Sequence, residues 1–456
     1  MRLLVKGGRV IDPEAGLDEV LDILIENGKI VSVASGIPAK GIPARVGAGA
    51  GAGTGTGAGG GAGIETVDEV VDASGMIVTP GLVDMHVHLR EPGREDEETI
   101  ETGTAAAAAG GFTSIACMPN TTPPLDTGAF VEAVRMRAAR AGLVNVFPVG
   151  AITKGLAGEE LAEIGELRDA GVVGLSDDGR SVMNAEVMRR AMEYAQMFDL
   201  PVIPHCEDTN LTAGGVMNEG YMSTVLGLKG MSPAAEEAMV ARDIILAELT
   251  GARLHITHVS TAGSVRLIRD AKRRGVRVTA DATPHHFTLT DEAVRTYDTN
   301  TKMNPPLRTR EDVEAIRMGL ADGTIDAIAS DHAPHTFEEK DVEYDNAPFG
   351  IIGLETSLPL ALTELVGGGY LPLGELIRRM SSNPARILGL GDKKAGIVAG
   401  ADADLTVIDV KREFTVDINE FRSLSRNSPF GGRRLKGQAF ATIVGGRVVF
   451  KRWVAV

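Results

Sequence analysis

The sequence predicts an α/β protein: a (β/α)8 barrel joined to a small β-sandwich module formed from both chain ends. Three observations carry this expectation. From residue 76 to about 335, short apolar runs alternate with longer Ala-rich or amphipathic stretches, the rhythm of a parallel sheet with crossover helices. Eight such runs can be counted, and eight suggests closure into a barrel. The two ends of the chain share a different texture, short β-branched pieces interrupted by Gly and without a helix period.

Residues 1–35 open with LLVKGGRVID and ILIENGKIVSVA, joined by turn-prone Gly, Asp and Asn, and are expected to form a small antiparallel sheet. The tract VGAGAGAGTGTGAGGGAG, residues 46–63, has almost no side chain to bury and reads as a flexible loop. A phosphate-cradling glycine loop would need a Lys-Ser/Thr and a helix after it, and neither follows. The eight strand candidates are MIVTPGLVDMHVH, FTSIACMPN, NVFPVGAIT, GVVGLSDDG, LPVIPHCED, RLHITHVS, RVTADATPHH and IDAIASDHAPH. Segments such as AFVEAVRMRAARAG and SVRLIRDAKRRG read as the helices between them. AGIVAGADADLTVID, FATIVGGRVVF and KRWVAV return to the β texture of the start. The expected boundaries are therefore 1–75 with 392–456 for the composite β module, and 76–391 for the barrel.

Composition agrees with this size. A barrel takes roughly 250 residues and tolerates additions, so 456 residues accommodate one barrel and an accessory module. With 43% hydrophobic residues, 56 Gly and 4% aromatics, the core is expected to be aliphatic and small-residue, with many tight turns. Lys+Arg of 46 against Asp+Glu of 62 leaves −16, which argues against nucleic acid or an anionic membrane as partner. An anionic substrate is not excluded, because one Arg in a cleft binds a carboxylate by local geometry. Cys117 and Cys206 are too few and too scattered for a disulfide framework and are read as buried, inert thiols in a reducing compartment, by default the cytoplasm. The opening MRLLVKGGRVIDPEAG breaks its apolar character too early for a signal peptide, and no apolar run approaches the roughly 20 residues of a membrane helix.

The residues capable of chemistry fall at the C-terminal ends of the strand candidates, where barrel active sites sit. His86 and His88 end the first as His-Val-His, and alternation turns both imidazoles to one side. Alone, such a pair is as readily a polar strand end as a metal site. His205 closes the fifth run, His258 the sixth and Asp331 the eighth, while Asp177 and Asp178 close the fourth, where alternation lets only one reach the mouth. Imidazole and carboxylate without thiolate suit Zn2+ or another borderline divalent ion, at roughly 2.0–2.2 Å per bond. Six such ligands suggest two metals sharing one. His255 should face away from the mouth, and His285, His286 and His332 read as supporting groups rather than ligands.

DMHVHLREPG at 84–93, MPNT at 118–121, SDDG at 176–179, HCED at 205–208, THVS at 257–260, KMNPPLR at 302–308, SDHAPH at 330–335, PFG at 348–350 and SRNSPFGG at 425–432 together resemble the bacterial class I dihydroorotases, of the amidohydrolase superfamily. The likeness spans nearly the whole chain. It departs at the glycine tract and at DATPHH (281–286), where the resemblance leads one to expect Glu before Thr-Pro. The resemblance implies a metallohydrolase that interconverts N-carbamoyl-L-aspartate and L-dihydroorotate in pyrimidine synthesis. It implies His86 and His88 on one zinc, His205 and His258 on the other, Asp178 bridging, and Asp331 completing the first site and acting as base and then acid. It also implies Arg90, Asn120 and His335 on the substrate carboxylate, and Asn304 with the backbone of Phe349 and Gly350 on the ring amides.

Rival readings are a hydantoinase, dihydropyrimidinase or allantoinase, and a silent dihydroorotase-like subunit supporting aspartate carbamoyltransferase. The first group usually bridges its metals with a carboxylated lysine on strand four, and GVVGLSDDGR has no lysine. The silent subunits lack metal ligands, and all six are present here. An active enzyme could still dock on that transferase or form a homo-oligomer, which the sequence leaves open.

Overall fold

The computed structural model describes residues 1–39, 42–43, 64–65, 67–394 and 396–452. The Gly-rich tract 46–63 and all but the first two residues of KRWVAV lie outside them.

Parallel pairing runs around a closed ring. Leu82–Val87 pairs with Phe112–Cys117, and that strand with Asn145–Pro148. Single parallel bridges then link Gly150 to Leu175, Leu175 to Val202 and Val202 to Leu254. Leu254–Ile256 pairs with Val278–Ala282, which pairs with Ala327–Ile328, and His332 returns to Val87. The fourth and fifth runs contribute bridges rather than ladders. Pro201 and Pro204 flank Val202 and have no N–H to donate, so pairing there reduces to bonds such as Ile203 N to Leu175 O, 2.7 Å.

The intervening helices follow local signals. In Ile100–Gly110 the Thr99 hydroxyl accepts from Thr102 N at 3.1 Å, and Gly111 closes the helix at φ +94°, which glycine adopts without cost. Ala262–Arg273 starts from a Thr261 cap, ends on Lys272 and Arg273, and buries Val265, Ile268 and Ala271 against the ring.

The chain ends form a separate sheet, eight-stranded among the described residues. Its path runs Arg447–Lys451, Arg434–Val444, Leu405–Thr415, Ile77–Pro80, Arg2–Asp12, Leu17–Glu26, Lys29–Ala34, with Glu69–Asp72 alongside Arg2–Asp12. The antiparallel register Val407 to Val78 joins the two chain ends. Leu3, Val5, Val10, Ile23, Val78, Val407 and Ile443 form its own apolar core. Ile77–Pro80 passes directly into ring strand Leu82–Val87 through Gly81, where a Cβ would lie 2.0 Å from Thr113 Oγ1. The terminal sheet thus anchors the strand that presents His86 and His88.

Candidate active site

The mouth of the ring collects side chains from strands far apart in sequence. His86 Nε2 lies 3.4 Å from both Asp178 Oδ1 and Asp331 Oδ1, and His88 Nε2 lies 3.1 Å from Asp331 Oδ1 and 3.4 Å from Asp178 Oδ2. His205 Nδ1 and His258 Nε2 stand 3.0 Å apart, each 3.7 Å from Asp178 Oδ1. All six side chains are buried. Asp178 lies between the two histidine pairs. Its neighbour Asp177 faces away and accepts from Ile152 N at 2.8 Å, Thr153 N at 3.0 Å and the Thr153 hydroxyl, which resolves the Asp177–Asp178 choice in geometry.

These residues fit a divalent cation. Ligands about 2.1 Å from a tetrahedral ion lie about 3.4 Å from each other, close to the spacings seen. His86 Nε2 and Asp178 Oδ1 are buried without a hydrogen-bond partner, although buried polar atoms are normally satisfied. Two triads, His86 with His88 and Asp331, and His86 with Asp178 and His258, each bring three ligand atoms within 4.8 Å. The electrostatics agree. Burial opposes charging His86, yet Asp178 and Asp331 outweigh it and hold the ring up at about 9; His205 is likewise pulled up to about 10 by Asp178 and Glu207. The cavity therefore attracts positive charge, and a metal displaces the protons that otherwise supply it.

The backbone is strained at this point. His258 (φ +38°), Asp331 (φ +47°) and Arg90 (φ +60°) all adopt the left-handed region, sparsely populated for non-glycine residues, as Asn27, Leu156, Asp199 and Tyr297 do elsewhere in the chain.

A supporting layer fixes the tautomers, and the sequence reading did not assign it. Asp281 Oδ2 accepts from the Thr257 hydroxyl at 3.0 Å, so Thr257 Oγ1 is left to accept from His86 Nδ1 at 2.7 Å, and His86 Nε2 carries its lone pair toward the cluster. Asp281 also meets His255 Nε2 and accepts from His258 N, both at 2.8 Å. His255 thus points away from the mouth, and the departure noted at 281–286 retains a carboxylate. Glu207 Oε2 meets His205 Nε2 at 3.0 Å and accepts from Asn304 Nδ2 at 2.8 Å, joining a metal-type histidine to a substrate-binding candidate. His286 Nε2 meets Pro305 O and His332 Nε2 meets Glu98, so both turn from the cluster. Alternation along Val278–Ala282 could have flagged Asp281, which ends the strand facing inward; nothing local marks Glu207.

Beside the cluster opens a cavity of about 330 Å³ lined by His88, Arg90, Asn120, Asp178, His205, His258, Asn304, Asp331, His335 and Phe349. Gly350 is not in its lining: its N–H donates to Lys302 O at 2.9 Å and its carbonyl accepts from Asn427 at 3.1 Å. A larger cavity, about 750 Å³, lies at the terminal sheet between Glu355, Arg412 and Arg452, away from any of the histidine clusters among the described residues. Chemistry rests with the smaller one. Cys117 and Cys206 are buried, and burial pushes the Cys117 thiol up to about 12, which keeps it unreactive.

Two buried lysines hold the loop that carries Phe349. Lys302 Nζ donates to Tyr344 O and Asp345 O at 2.8 and 3.0 Å, and Lys340 Nζ to Pro348 O and Thr299 O at 2.8 and 3.0 Å. Burial, with Lys302 nearby, pushes Lys340 down from 10.5 to about 7. Between those values the unfolded chain binds more protons than the folded one, so this group's contribution to stability rises with pH and is lost as pH falls toward 7. The difference in Tm between the native protein and Lys340→Met should therefore move in favour of the native protein from pH 7 to pH 10. Parallel curves would contradict the burial argument.

Fold and cluster together have the character of the amidohydrolase class of hydrolases, a parallel ring with a His/Asp cluster fit for a divalent cation at its mouth. A family model described as amidohydrolase family matches residues 248–450, and one described as dihydro-orotase-like matches residues 75–264. Curated dihydroorotases match end to end: that of Pelotomaculum thermopropionicum is 59% identical over 451 residues (99% of each chain), and that of Geobacter metallireducens 55% over 452 residues (99% of this chain, 100% of the relative). The chain belongs to the dihydroorotase family. Among solved structures, an L-hydantoinase (dihydropyrimidinase) from Arthrobacter aurescens superposes with TM-score 0.84 at 26% identity, covering 100% of this chain and 97% of that one. A dihydropyrimidinase from Brevibacillus agri gives 0.81 at 22%, covering 99% and 95%, which shows the fold alone.

Proposed function

We propose that this enzyme interconverts L-dihydroorotate and N-carbamoyl-L-aspartate, and that His86, His88, Asp178, His205, His258 and Asp331 would hold two zinc ions, Asp178 being the ligand the two histidine pairs share. The observation that carries the reading is the juxtaposition of the His/Asp cluster with Arg90, Asn120 and His335 on one cavity. A bound divalent ion lowers the pKa of water to about 7 and polarises a carbonyl.

This chain's residues do the rest. Arg90, with Asn120 and His335, receives the substrate carboxylate, the guanidinium offering a planar fork. Asn304 and the Phe349 backbone are the groups proposed for the ring amides, Phe349 beside His335 through its carbonyl, and Gly350 sets the backbone path of Phe349 from outside the lining. Asp331 accepts the proton of the attacking water as the C–O bond forms, then delivers it to the ring nitrogen as the C–N bond breaks. Ring closure reverses the sequence. Within the same reading, the ring is a (β/α)8 barrel within residues 76–391, and the terminal sheet is a β-sandwich module from 1–75 and 392–456 that also takes strand Ile77–Pro80. The setting is cytoplasmic pyrimidine synthesis, with self-association or docking on aspartate carbamoyltransferase as the partners to test. Among the described residues no helix is long and apolar enough to cross a membrane.

The hydantoinase reading draws on fold likeness. Against it stand Asp178, where those enzymes usually carry a lysine, and Arg90 in the cavity lining, which suits an acidic rather than a neutral ring. The test is hydrolysis of L-dihydroorotate beside 5,6-dihydrouracil and hydantoin, before and after chelation and zinc restoration. Chelation should abolish turnover of dihydroorotate and zinc should restore it. Turnover of the neutral rings alone would transfer the enzyme to the hydantoinase side, and silence on all three with zinc bound would favour a supporting subunit.

A further inference from the structure

Glu97 is buried, 1% exposed, beneath the wall that bears Arg90 and His335. Its Oε2 lies 3.0 Å from Arg90 Nε as a charge contact, while the single Nε hydrogen goes to Pro334 O at 3.1 Å. Its Oε1 stands against His335 Nδ1 at 2.9 Å and Arg94 Nη2 at 3.1 Å, as charge contacts rather than well-aligned hydrogen bonds. Glu339 closes the group, meeting His335 Nδ1 at 3.2 Å and pairing with Arg94. Glu97, His335 and Glu339 also have the spacing of a metal triad, but Arg90 and Arg94 already occupy the carboxylates, so the cluster is an ion-pair network.

We propose that Glu97 is a positioning residue that sets the acid selectivity of the site. It lies against Arg90 at Nε and against His335 at Nδ1, so that Arg90 turns its Nη1 and Nη2 edge, with Nη2 3.5 Å from His335 Nε2, toward an incoming carboxylate. A guanidinium without this anchor has several rotamers to lose on binding, whereas one held at Nε pays that entropy in folding. His335 is fixed at both ends, with Nε2 against Phe349 O at 2.8 Å, which couples the carboxylate wall to the loop facing the ring. The proposal rests on the reading of Arg90 and His335 as carboxylate binders.

The experiment compares Glu97→Gln and Arg90→Met in the zinc-loaded enzyme, reading KM and kcat for L-dihydroorotate and competitive inhibition by orotate. Gln keeps the size of Glu97 but removes its charge and places an N–H2 group among donors. The expected result is that KM and the orotate inhibition constant rise at least about tenfold in both variants, with kcat within about threefold. If Arg90→Met weakens binding while Glu97→Gln leaves both constants within about twofold, the positioning role falls and the carboxylate wall stands. If Arg90→Met changes neither constant, the wall itself falls, and Glu97 with it. A loss of Tm and kcat with KM unmoved in Glu97→Gln would mark a structural post and overturn the proposal. Should Glu97→Gln not fold, Glu97→Asp, which keeps the charge but withdraws it from Arg90, is read by the same criteria.

Discussion

Replacing Asp331 by Asn is expected to lower kcat for dihydroorotate hydrolysis by about 100- to 10,000-fold, the usual contribution of a positioned acid–base group. The substitution is nearly isosteric, and Asn tolerates the left-handed backbone that Asp331 adopts at φ +47°, so the eighth segment keeps its path. What disappears is the proton acceptor. The carboxylate is held charged, well below the usual range, by His86 and His88, against the cost of burial, and it faces the cavity beside Asp178. A carboxamide oxygen remains as a neutral ligand, so metal should be retained in part. Kinetics paired with metal content per chain checks this. A kcat within about tenfold of the native value at full metal loading would remove Asp331 from the catalytic role.

Replacing Asp178 by Ala should act earlier, on the metal itself. Its carboxylate is within 3.7 Å of ring nitrogens from all four histidines, so its removal takes one ligand from both halves of the cluster. Metal content should fall by at least about half and hydrolysis should become undetectable. A ligand present at 1,000 times its Kd stabilises the native state by about 4 kcal/mol, so zinc should raise the Tm of the chelated native protein and leave that of the variant unmoved. Native metal content in Asp178→Ala would show that the two histidine pairs hold metal without it.

The two substitutions separate roles that coincide in the cluster. Asp331 and Asp178 both lie within 3.4 Å of His86 Nε2 and both line the cavity, yet Asp178 also reaches His205 and His258, whereas Asp331 is paired with His86 and His88. Glu207 and Asp281 extend the same logic outward: Glu207 meets the second nitrogen of His205 directly, and Asp281 that of His86 through the Thr257 hydroxyl. Substituting either residue is therefore expected to weaken metal binding as well.

Much of this was legible in the chain. Period-2 and period-3.6 patterns are local, so the strand runs, Ala262–Arg273 and the anchoring of His86 beside His88 followed from neighbouring residues. Strand ends identified five of the metal candidates and narrowed the sixth to Asp177 or Asp178, because side chains at the C-terminal ends of parallel strands converge; the choice of Asp178 came from the family resemblance. The fourth and fifth runs illustrate the limit of pattern. Their apolar character was right, but both join the ring through single bridges, with Pro201 and Pro204 removing two N–H donors from the fifth, which depends on the register of their neighbours.

The sequence by itself therefore determined the order of elements, the β texture shared by the chain ends, and the set of side chains presented at the mouth. Only the tertiary structure decided how those side chains meet: His86 with Thr257 across 171 positions, His88 with Asp331 across 243, and Glu97 between Arg90 and His335. The reason is physical. Periodicity reports which face of an element a residue occupies, whereas tautomer, charge pairing and the grip of Glu97 on Arg90 depend on distances that exist only after the ring has closed.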